Sequence, residues 1–104
     1  MFVLEQTGVS AYSIENAYAI RLESVQKNKL RYQNYLDYEA VIVIYYNNDG
    51  GCVLAKYKNM KEANHVFCGM LKAMSQGVTL IDLNGKITNP TPGPIDEQEP
   101  ERGD

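Results

Sequence analysis

The feature that most constrains the fold of this chain is a helical pattern of apolar residues between positions 59 and 77. Six apolar side chains recur there at spacings of three and four residues, which places them on one face of an α-helix: Ala63, Val66, Phe67, Met70, Leu71 and Met74. Asn59 can accept a hydrogen bond from the first free backbone N–H groups, and Gly77 can adopt the left-handed conformation that closes a last turn. We therefore predict an amphipathic helix over Asn59–Gly77 with its apolar face buried.

The residues before this helix carry the signatures of β-strands. Phe2–Leu4 is a short apolar run, and Ala17–Val25 alternates with the two-residue period of a half-buried strand. Glu39–Tyr46 is rich in β-branched and aromatic residues, and a run of Asn, Asp and Gly joins it to a second strand-like run, Cys52–Tyr57. This order predicts a meander of antiparallel strands.

A further turn signal follows the helix. Asn84-Gly85 is a strong two-residue hairpin sequence, and it lies between the apolar run Val78–Leu83 and the segment Lys86–Thr88. We expect either a small terminal hairpin or one edge strand added to the sheet.

The strand at Glu39–Tyr46 is apolar on both faces, as is typical of a strand that is covered on both sides. One helix cannot cover both faces of a sheet. The other face must curl onto itself, lie under the segment Leu30–Tyr38, or meet another subunit. We predict an α+β fold in which an antiparallel sheet of about four or five strands packs against one C-terminal amphipathic helix. A curled, pleckstrin-like barrel closed by that helix is the variant of this prediction.

Charge and proline content divide the chain near residue 90. Residues 1–89 hold nine Lys or Arg and eight Asp or Glu, whereas residues 90–104 hold one Arg and five Asp or Glu. All four prolines lie in residues 90–104. Because prolines and acidic residues cannot bury enough apolar surface to offset the entropy of ordering, we predict one globular domain over 1–89 and a flexible acidic tail over 90–104.

Cysteine usage and hydropathy favour a soluble cytoplasmic protein. Two cysteines do not form a disulfide framework, and the chain shows neither a secretory leader nor an apolar run long enough for a membrane span. Cys52 and Cys68 are too far apart in sequence for a metal knuckle or a Cys-x-x-Cys redox pair. We predict that both are small buried hydrophobic residues.

Catalytic candidates are few. His65 is the only histidine, and its position off the apolar stripe predicts a solvated surface side chain. Asp37 and Glu39 share one face if they lie on a strand and could serve acid–base chemistry or hold a cation, but solvated carboxylates at a rim are much more common. We predict a non-enzymatic protein without a cofactor or a metal. A deep pocket joining Asp37, Glu39 and His65 would reopen the question.

One stretch interleaves cations with aromatic residues, a pattern that can hold phosphates and stack bases: Lys27, Lys29, Arg31, Tyr32, Tyr35 and Tyr38. These six residues are the candidate nucleic-acid or partner site. The nearly neutral charge of residues 1–89 argues against nucleic acid, since nucleic-acid-binding domains are usually strongly basic. The eight tyrosines are equally consistent with a partly wet interface and with half-exposed sheet positions.

The stretch from Val53 to Ala63 resembles a recurring pattern in which an apolar strand is followed by Tyr-Lys, a polar cap, Glu-Ala and one amphipathic helix. The pattern is found in small uncharacterised proteins, often prophage-associated, of Gram-positive bacteria. The opening is similar as well, with a strand at Met1–Leu4 and then Asn16-Ala17 before an alternating strand. The segment Lys29–Tyr38 and the acidic tail depart from the pattern. The resemblance implies a bacterial or phage origin and no activity, so no catalytic residue is carried over.

Two functional hypotheses remain. The leading one is a small non-enzymatic interaction or assembly protein that self-associates as a homodimer or a higher oligomer, because one apolar sheet face would otherwise lack a cover. The alternative is a nucleic-acid-binding accessory protein that uses the region Lys27–Tyr38. Neither hypothesis involves a membrane.

Overall fold

The computed structural model describes residues 1–47 and 50–85. It contains six strands and one helix in the following order: β1 (Phe2–Leu4), β2 (Ala11–Ser13), β3 (Ala19–Ser24), β4 (Ala40–Tyr45), β5 (Gly51–Tyr57), α1 (Met60–Ser75) and β6 (Leu80–Asp82). Two short 3₁₀ turns, Gln26–Asn28 and Gln33–Tyr35, lie between β3 and β4. The predicted α+β class is confirmed.

The strands form two sheets of three, so the prediction of a single sheet with four or five strands is wrong. One sheet has the antiparallel order β3–β4–β5, and the other has the order β2–β1–β6. In the second sheet, β1 is antiparallel to β2 but parallel to β6, because α1 carries the chain back before β6 begins. The described strands do not close into a barrel, so the pleckstrin-like variant is also wrong. The run after α1 has become an edge strand, while Lys86–Thr88 lies outside the described residues.

The helix forms where its pattern predicts. The side chain of Asn59 accepts a hydrogen bond from the backbone N–H of Glu62 at 2.7 Å. The carboxylate of Glu39 accepts a second one from the N–H of Met60 at 2.6 Å. At the other end, Gly77 has a φ of +72°, which is the left-handed conformation expected of a helix terminator. Asn59 and Gly77 therefore act at the two ends of α1 as predicted, while the contact of Glu39 was not predicted.

One face of β4 packs against α1 to form the helix-side core. Ile42 and Ile44 are fully buried there, and the helix contributes three buried residues, Ala63, Met70 and Ala73. Val66, Phe67 and Met74 are partly buried against the same core. The predicted burial of Leu71 is wrong, since its side chain is 48% exposed. Leu71 lies about 100° around the helix from Met70, which takes it to the rim of the contact.

The other face of β4 is covered by the segment between β3 and β4. Three residues of β4 are buried there beneath Val25 and Tyr32. We call these five residues the tyrosine-side core: Val25, Tyr32, Val41, Val43 and Tyr45. The sequence left three ways to cover this face open, and the structure uses the second of them, the segment Leu30–Tyr38. The physical reason for expecting oligomerisation, a bare apolar face of β4, is therefore removed.

A β-bulge adjusts β5 to this arrangement. Ile42 pairs with Ala55 and Val43 pairs with Val53, so Leu54 is an additional residue in β5. As a result Leu54 and Ala55 are both buried in the helix-side core. The strand starts at Gly51, where a Cβ atom would lie only 2.5 Å from Cγ1 of Val43. This close approach explains the glycine at the start of β5.

The two cysteines are free and exposed, which contradicts the prediction that they are buried. Cys68 is two residues from Met70 and therefore about 200° around the helix from the buried face. Cys52 lies near the beginning of β5, beyond the part of the strand that is buried. Neither position was distinguishable from a core position by composition alone.

The proposed tail at 90–104 lies outside the described residues, so the division at residue 90 stays a prediction. Within residues 1–47 and 50–85, no helix has both the length and the apolar composition needed to cross a bilayer.

Candidate interaction surface

A carboxylate on β3 organises the tyrosine-side core. The hydroxyl of Tyr32 donates a hydrogen bond to Oε1 of Glu23, and the hydroxyl of Tyr45 donates one to Oε2 at 2.6 Å. Nη1 of Arg31 lies 3.8 Å from Oε1 of the same carboxylate. Burial, and then the hydrogen bond to Glu23, raise the pKa of both phenols above the ordinary tyrosine value. Both hydroxyls therefore remain protonated donors. The partly buried carboxylate of Glu23 has two neutral partners, the tyrosine hydroxyls, and one cationic partner, Arg31.

Two arginines lie over one ring of this core. The guanidinium carbon of Arg21 is 5.6 Å from the centre of the Tyr45 ring, and that of Arg31 is 5.5 Å from it. These are cation–π distances. Arg21 projects from β3, while Arg31 belongs to the covering segment, so the ring of Tyr45 links the sheet to its cover.

Two lysines at the opposite edge of the same sheet face, Lys56 in β5 and Lys58 just after it, lie over further rings. Nζ of Lys58 is 4.7 Å from the centre of the Tyr38 ring, and Nζ of Lys56 is 5.0 Å from it. Lys56 also lies 5.9 Å from the Tyr35 ring, which in turn makes an edge-to-face contact with Tyr32. Lys56 thus joins the rings of Tyr35 and Tyr38, and Glu23 joins the hydroxyls of Tyr32 and Tyr45.

We call this surface the cation–tyrosine face and define it by ten residues: Arg21, Lys27, Lys29, Arg31, Tyr32, Tyr35, Tyr38, Tyr45, Lys56 and Lys58. It carries six of the eight lysines and arginines in the described ranges, the other two being Lys61 and Lys72 on α1. Four acids lie nearby against these six cations, namely Glu23, Asp37, Glu39 and Glu5, the last of which lines a cleft with Tyr35 and Lys56. The carboxylate of Glu23 accepts hydrogen bonds from tyrosine hydroxyls, and that of Glu39 accepts one from the first N–H of α1. The face is therefore positively charged although the domain as a whole is nearly neutral.

The six predicted site residues fall into two groups. Lys27, Lys29 and Arg31 are exposed, whereas Tyr32 is only 4% exposed and Tyr35 and Tyr38 are half-buried. Tyr32 is consequently a core residue and cannot stack on a base. The assignment of these six residues to a partner or nucleic-acid site stays a prediction.

Sequence reasoning missed the residues that the sheet contributes to this face, namely Arg21, Tyr45, Lys56 and Lys58. The alternation of β3 already places Arg21 and Glu23 on the face opposite Ile20 and Leu22. That signal identifies a shared face, but it does not reveal which segment lies over it.

Two of the clefts on this face are small. One, of about 100 Å³, lies between β5 and the chain after β1 and is lined by Gln6, Tyr35, Val53 and Lys56 among others. A second, of about 140 Å³, is lined by Tyr18, Arg21, Arg31, Tyr45 and Asn47. Both are smaller than the roughly 300–1,000 Å³ typical of small-molecule sites. They are better suited to single side chains of a macromolecular partner.

The described residues offer little for catalysis. Asp37, Glu39 and His65 line neither of these clefts, and His65 is exposed on α1 as predicted. In residues 1–47 and 50–85, no group of three or more His, Cys, Asp or Glu could hold a metal ion. What the face can do chemically is present fixed positive charges, because the rings beneath the cations restrain them.

In comparisons with known proteins, no family model, no curated protein and no solved structure matches this chain. The resemblance to small proteins of Gram-positive bacteria and their phages therefore stays a prediction.

Proposed function

We propose that this protein is a small non-enzymatic interaction protein, of bacterial or phage origin and cytoplasmic, that binds an acidic segment of a protein partner. The observation that carries the proposal is the concentration of six cations on the cation–tyrosine face, four of them held over tyrosine rings. A cation held over a ring loses less conformational entropy on binding a carboxylate than a freely rotating one.

The occupied rings favour a protein partner over nucleic acid. Binding of single strands relies on free aromatic faces on which bases stack. Here the rings of Tyr38 and Tyr45 already carry cations from the same chain, and Tyr32 is buried. Carboxylates need no free ring, since they accept hydrogen bonds from the cations themselves.

The expected affinity is modest and depends on salt. Exposed ion pairs contribute about 0.2–1 kcal/mol each, so several must form together for measurable binding. Such pairs are screened at physiological ionic strength.

Nucleic acid binding is the second candidate, and one observation favours it. Lys27 and Lys29 are exposed next to Arg31, and these three line an open cleft of about 400 Å³ along the 3₁₀ turn. A phosphate backbone could follow this row of cations without any base stacking.

Fluorescence anisotropy distinguishes the two candidates. A labelled glutamate-rich peptide and a labelled single-stranded DNA of equal charge are titrated with the full chain at low and at physiological salt. We expect the peptide to bind at low salt and to weaken as salt rises. Tighter binding of the DNA would replace this proposal with the second candidate, and absence of binding by either probe at low salt would overturn both.

The matched variants carry equal charge changes at two places. Lys56→Glu with Lys58→Glu removes two cations from the cation–tyrosine face, and we expect at least a tenfold loss of peptide affinity. Lys61→Glu with Lys72→Glu makes the same change on the exposed side of α1 and is expected to retain affinity within about twofold. Equal losses in the two double variants would mean that net charge, and not this face, attracts the peptide.

A further inference from the structure

The two outer edges of the β3–β4–β5 sheet differ. The edge at β5 is closed by Gln6, whose backbone N–H donates to the carbonyl of Leu54 at 2.7 Å. The side chain of Gln6 also accepts from the N–H of Lys56 at 3.0 Å and donates to its carbonyl at 3.1 Å. Gln6 thereby occupies the carbonyl of Leu54 and both backbone groups of Lys56, and covering outward backbone groups is a usual way to protect an edge strand.

The edge at β3 is covered only at its end, where the carbonyl of Ser24 accepts a hydrogen bond from the side-chain amide of Asn28 at 2.9 Å. The N–H of Val25 donates to the carbonyl of Glu39 at 3.0 Å, and the register pairs Glu23 with Val41. In an antiparallel ladder, every second residue directs both its N–H and its C=O toward one neighbouring strand, and the residues between direct theirs to the opposite side. Glu23 and Val25 direct theirs toward β4. The backbone groups of Ile20 and Leu22 therefore point outward, and no residue of 1–47 or 50–85 hydrogen-bonds to them.

The side chains of β3 make this open edge self-complementary. If β3 pairs antiparallel with β3 of a second copy about a twofold axis at Leu22, the two Leu22 residues form a hydrogen-bonded pair. Arg21 then lies opposite Glu23 of the second copy, and the same contact occurs twice. These are non-hydrogen-bonded pairs, in which opposing side chains are closest and opposite charges stabilise the pairing.

Neighbouring registers lack this complementarity. An axis at Arg21 brings two arginines directly opposite each other, which is destabilising. An axis at Ile20 places Arg21 opposite Ala19 of the second copy, so the guanidinium gains no partner. The charges of β3 therefore select the register centred on Leu22.

Both charged groups can accept this additional contact. Arg21 is exposed, with the Tyr45 ring as its contact and no ion pair to any described residue. Glu23 accepts one hydrogen bond on each oxygen from the tyrosine hydroxyls. A carboxylate has about four acceptor positions, so Glu23 retains capacity for a guanidinium of the second copy.

An apolar groove flanks the same edge on its helix side. It has a volume of about 240 Å³ and is lined by Ile14, Tyr18, Ile20, Leu71 and Met74 among others. Tyr18 is 64% exposed, and Leu71 is the helix residue that the core leaves half-exposed. The register centred on Leu22 places the residues after β3 of the second copy beside Tyr18, so the contact would also remove this apolar surface from water.

We propose that the chain forms a homodimer by antiparallel pairing of β3 with β3 of a second copy, in the register centred on Leu22. The product is a continuous six-stranded sheet with Gln6 closing both of its ends. The two cation–tyrosine faces then lie side by side on one surface. The pairing does not depend on whether that surface binds an acidic partner.

Sedimentation equilibrium of the full chain tests the dimer. We expect twice the mass of the chain at high micromolar concentration. Arg21→Glu, which places two acids opposite each other, is expected to weaken association at least tenfold, whereas Arg21→Lys retains it. Lys72→Glu on α1 makes a similar charge reversal away from the edge and leaves association unchanged. A monomer at high micromolar concentration, or undiminished association of Arg21→Glu, would overturn the proposal.

Disulfide trapping tests the register. In a Cys52→Ser, Cys68→Ser background, Leu22→Cys places two thiols in one hydrogen-bonded pair, with Cα atoms about 5.5 Å apart. That separation lies within the roughly 4.4–6.8 Å range of disulfides. Ile20→Cys is the comparison on the same face. In this register residue 20 lies opposite residue 24 of the second copy, so the two Cα atoms at position 20 are about 13 Å apart along the strand.

We expect mild oxidation to cross-link Leu22→Cys at least tenfold faster than Ile20→Cys, with circular dichroism showing that both variants are folded. Faster cross-linking of Ile20→Cys would overturn the register. A dimeric mass without cross-linking of folded Leu22→Cys would show that another surface mediates association, and the proposal would be wrong. If either cysteine variant fails to fold, the Arg21→Glu measurement still decides the matter.

Discussion

On one side of β4, Ile42 and Ile44 contact aliphatic side chains of α1, and no buried group there is charged. On the other side, Val41 and Val43 lie beneath tyrosines from a segment without a strand or a long helix. The first core is stabilised chiefly by apolar burial, which has no directional requirement, and Tyr57 is the tyrosine among its buried residues. The second also needs the hydroxyls of its tyrosines to be satisfied, and Glu23 satisfies two of them.

This difference shows how one strand can be covered on both faces when residues 1–47 and 50–85 form a single α-helix. The hydroxyls of Tyr32 and Tyr45 can lie in the second core because they donate hydrogen bonds to Glu23 at its rim, where Arg31 also lies. The same rim forms the cation–tyrosine face, so the residues that stabilise this side of the domain are also those proposed to bind a partner. A change on this side can therefore affect both stability and binding, whereas a change on the helix side affects stability.

The largest expected effect lies at the helix-side core and tests where that core ends. Met70 is buried, so Met70→Ala is expected to lower the free energy of unfolding by about 2–5 kcal/mol. Its neighbour Leu71 is half-exposed, and Leu71→Ala is expected to cost only about 1 kcal/mol. Urea denaturation of the two variants measures both values. Equal losses would mean that the helix is rotated relative to the arrangement described.

The next effect concerns the tyrosine-side core. Tyr32→Phe removes one donor to Glu23 without changing the ring, and we expect a loss of about 1.5–3 kcal/mol because the acceptor is charged. Tyr38→Phe is the matched control, since the hydroxyl of Tyr38 has no hydrogen-bond partner among the described residues. Denaturation midpoints give the comparison. If both variants are as stable as the parent chain, the hydrogen bond to Glu23 does not contribute to this core.

Alkaline pH provides a third comparison, because each core contains a buried phenol. Burial, with a smaller contribution from Glu62, raises the pKa of Tyr57 on the helix side to about 12. On the tyrosine side, burial and the bond to Glu23 raise the pKa of Tyr32 above its ordinary value. A raised pKa in the folded state stabilises the fold below the unfolded pKa, and this contribution is lost as the pH rises through the folded pKa.

We therefore expect the free energy of unfolding to fall as the pH rises from about 10 toward 12. Tyr57→Phe removes one of the phenols responsible and should make this decline shallower. Stability curves at a series of pH values, with ultraviolet titration of the phenols, provide the measurement. A stability that rises over this interval would contradict the assignment of Tyr57 as a buried neutral phenol.

The smallest effects are expected at single side-chain caps on either side. Asn59→Ala removes the cap of α1 and is expected to cost about 1 kcal/mol. Asn28→Ala removes an exposed bond from its amide to the carbonyl of Ser24, for which we expect about 0.5 kcal/mol. Thermal melts of the two variants can be compared directly. A larger loss for Asn28→Ala would mean that the covering segment depends on its turns more than on its buried rings.

Local pattern was sufficient to predict α1, its two ends and the strand with two apolar faces. The period of a helix and the alternation of a strand are properties of consecutive residues, and Asn59 and Gly77 act on backbone groups next to them. The same reasoning identified the segment that holds part of the candidate site. It could not show that Tyr32 is buried, because a tyrosine near a cation has the same local pattern in a core and on a surface.

What the local pattern left open depends on contacts between residues far apart in the chain. β1 pairs with β6 in a second sheet, and Gln6 bonds to the edge of β5. In both cases the partners are far apart in sequence, so the periodicity of consecutive residues does not predict the contact. The exposure of Leu71 and Cys68 follows from where α1 meets the sheet, and that of Cys52 from its place near the start of β5. Consecutive residues determine which faces of an element are apolar, but the packing of the whole chain determines which of those faces is covered, and by what.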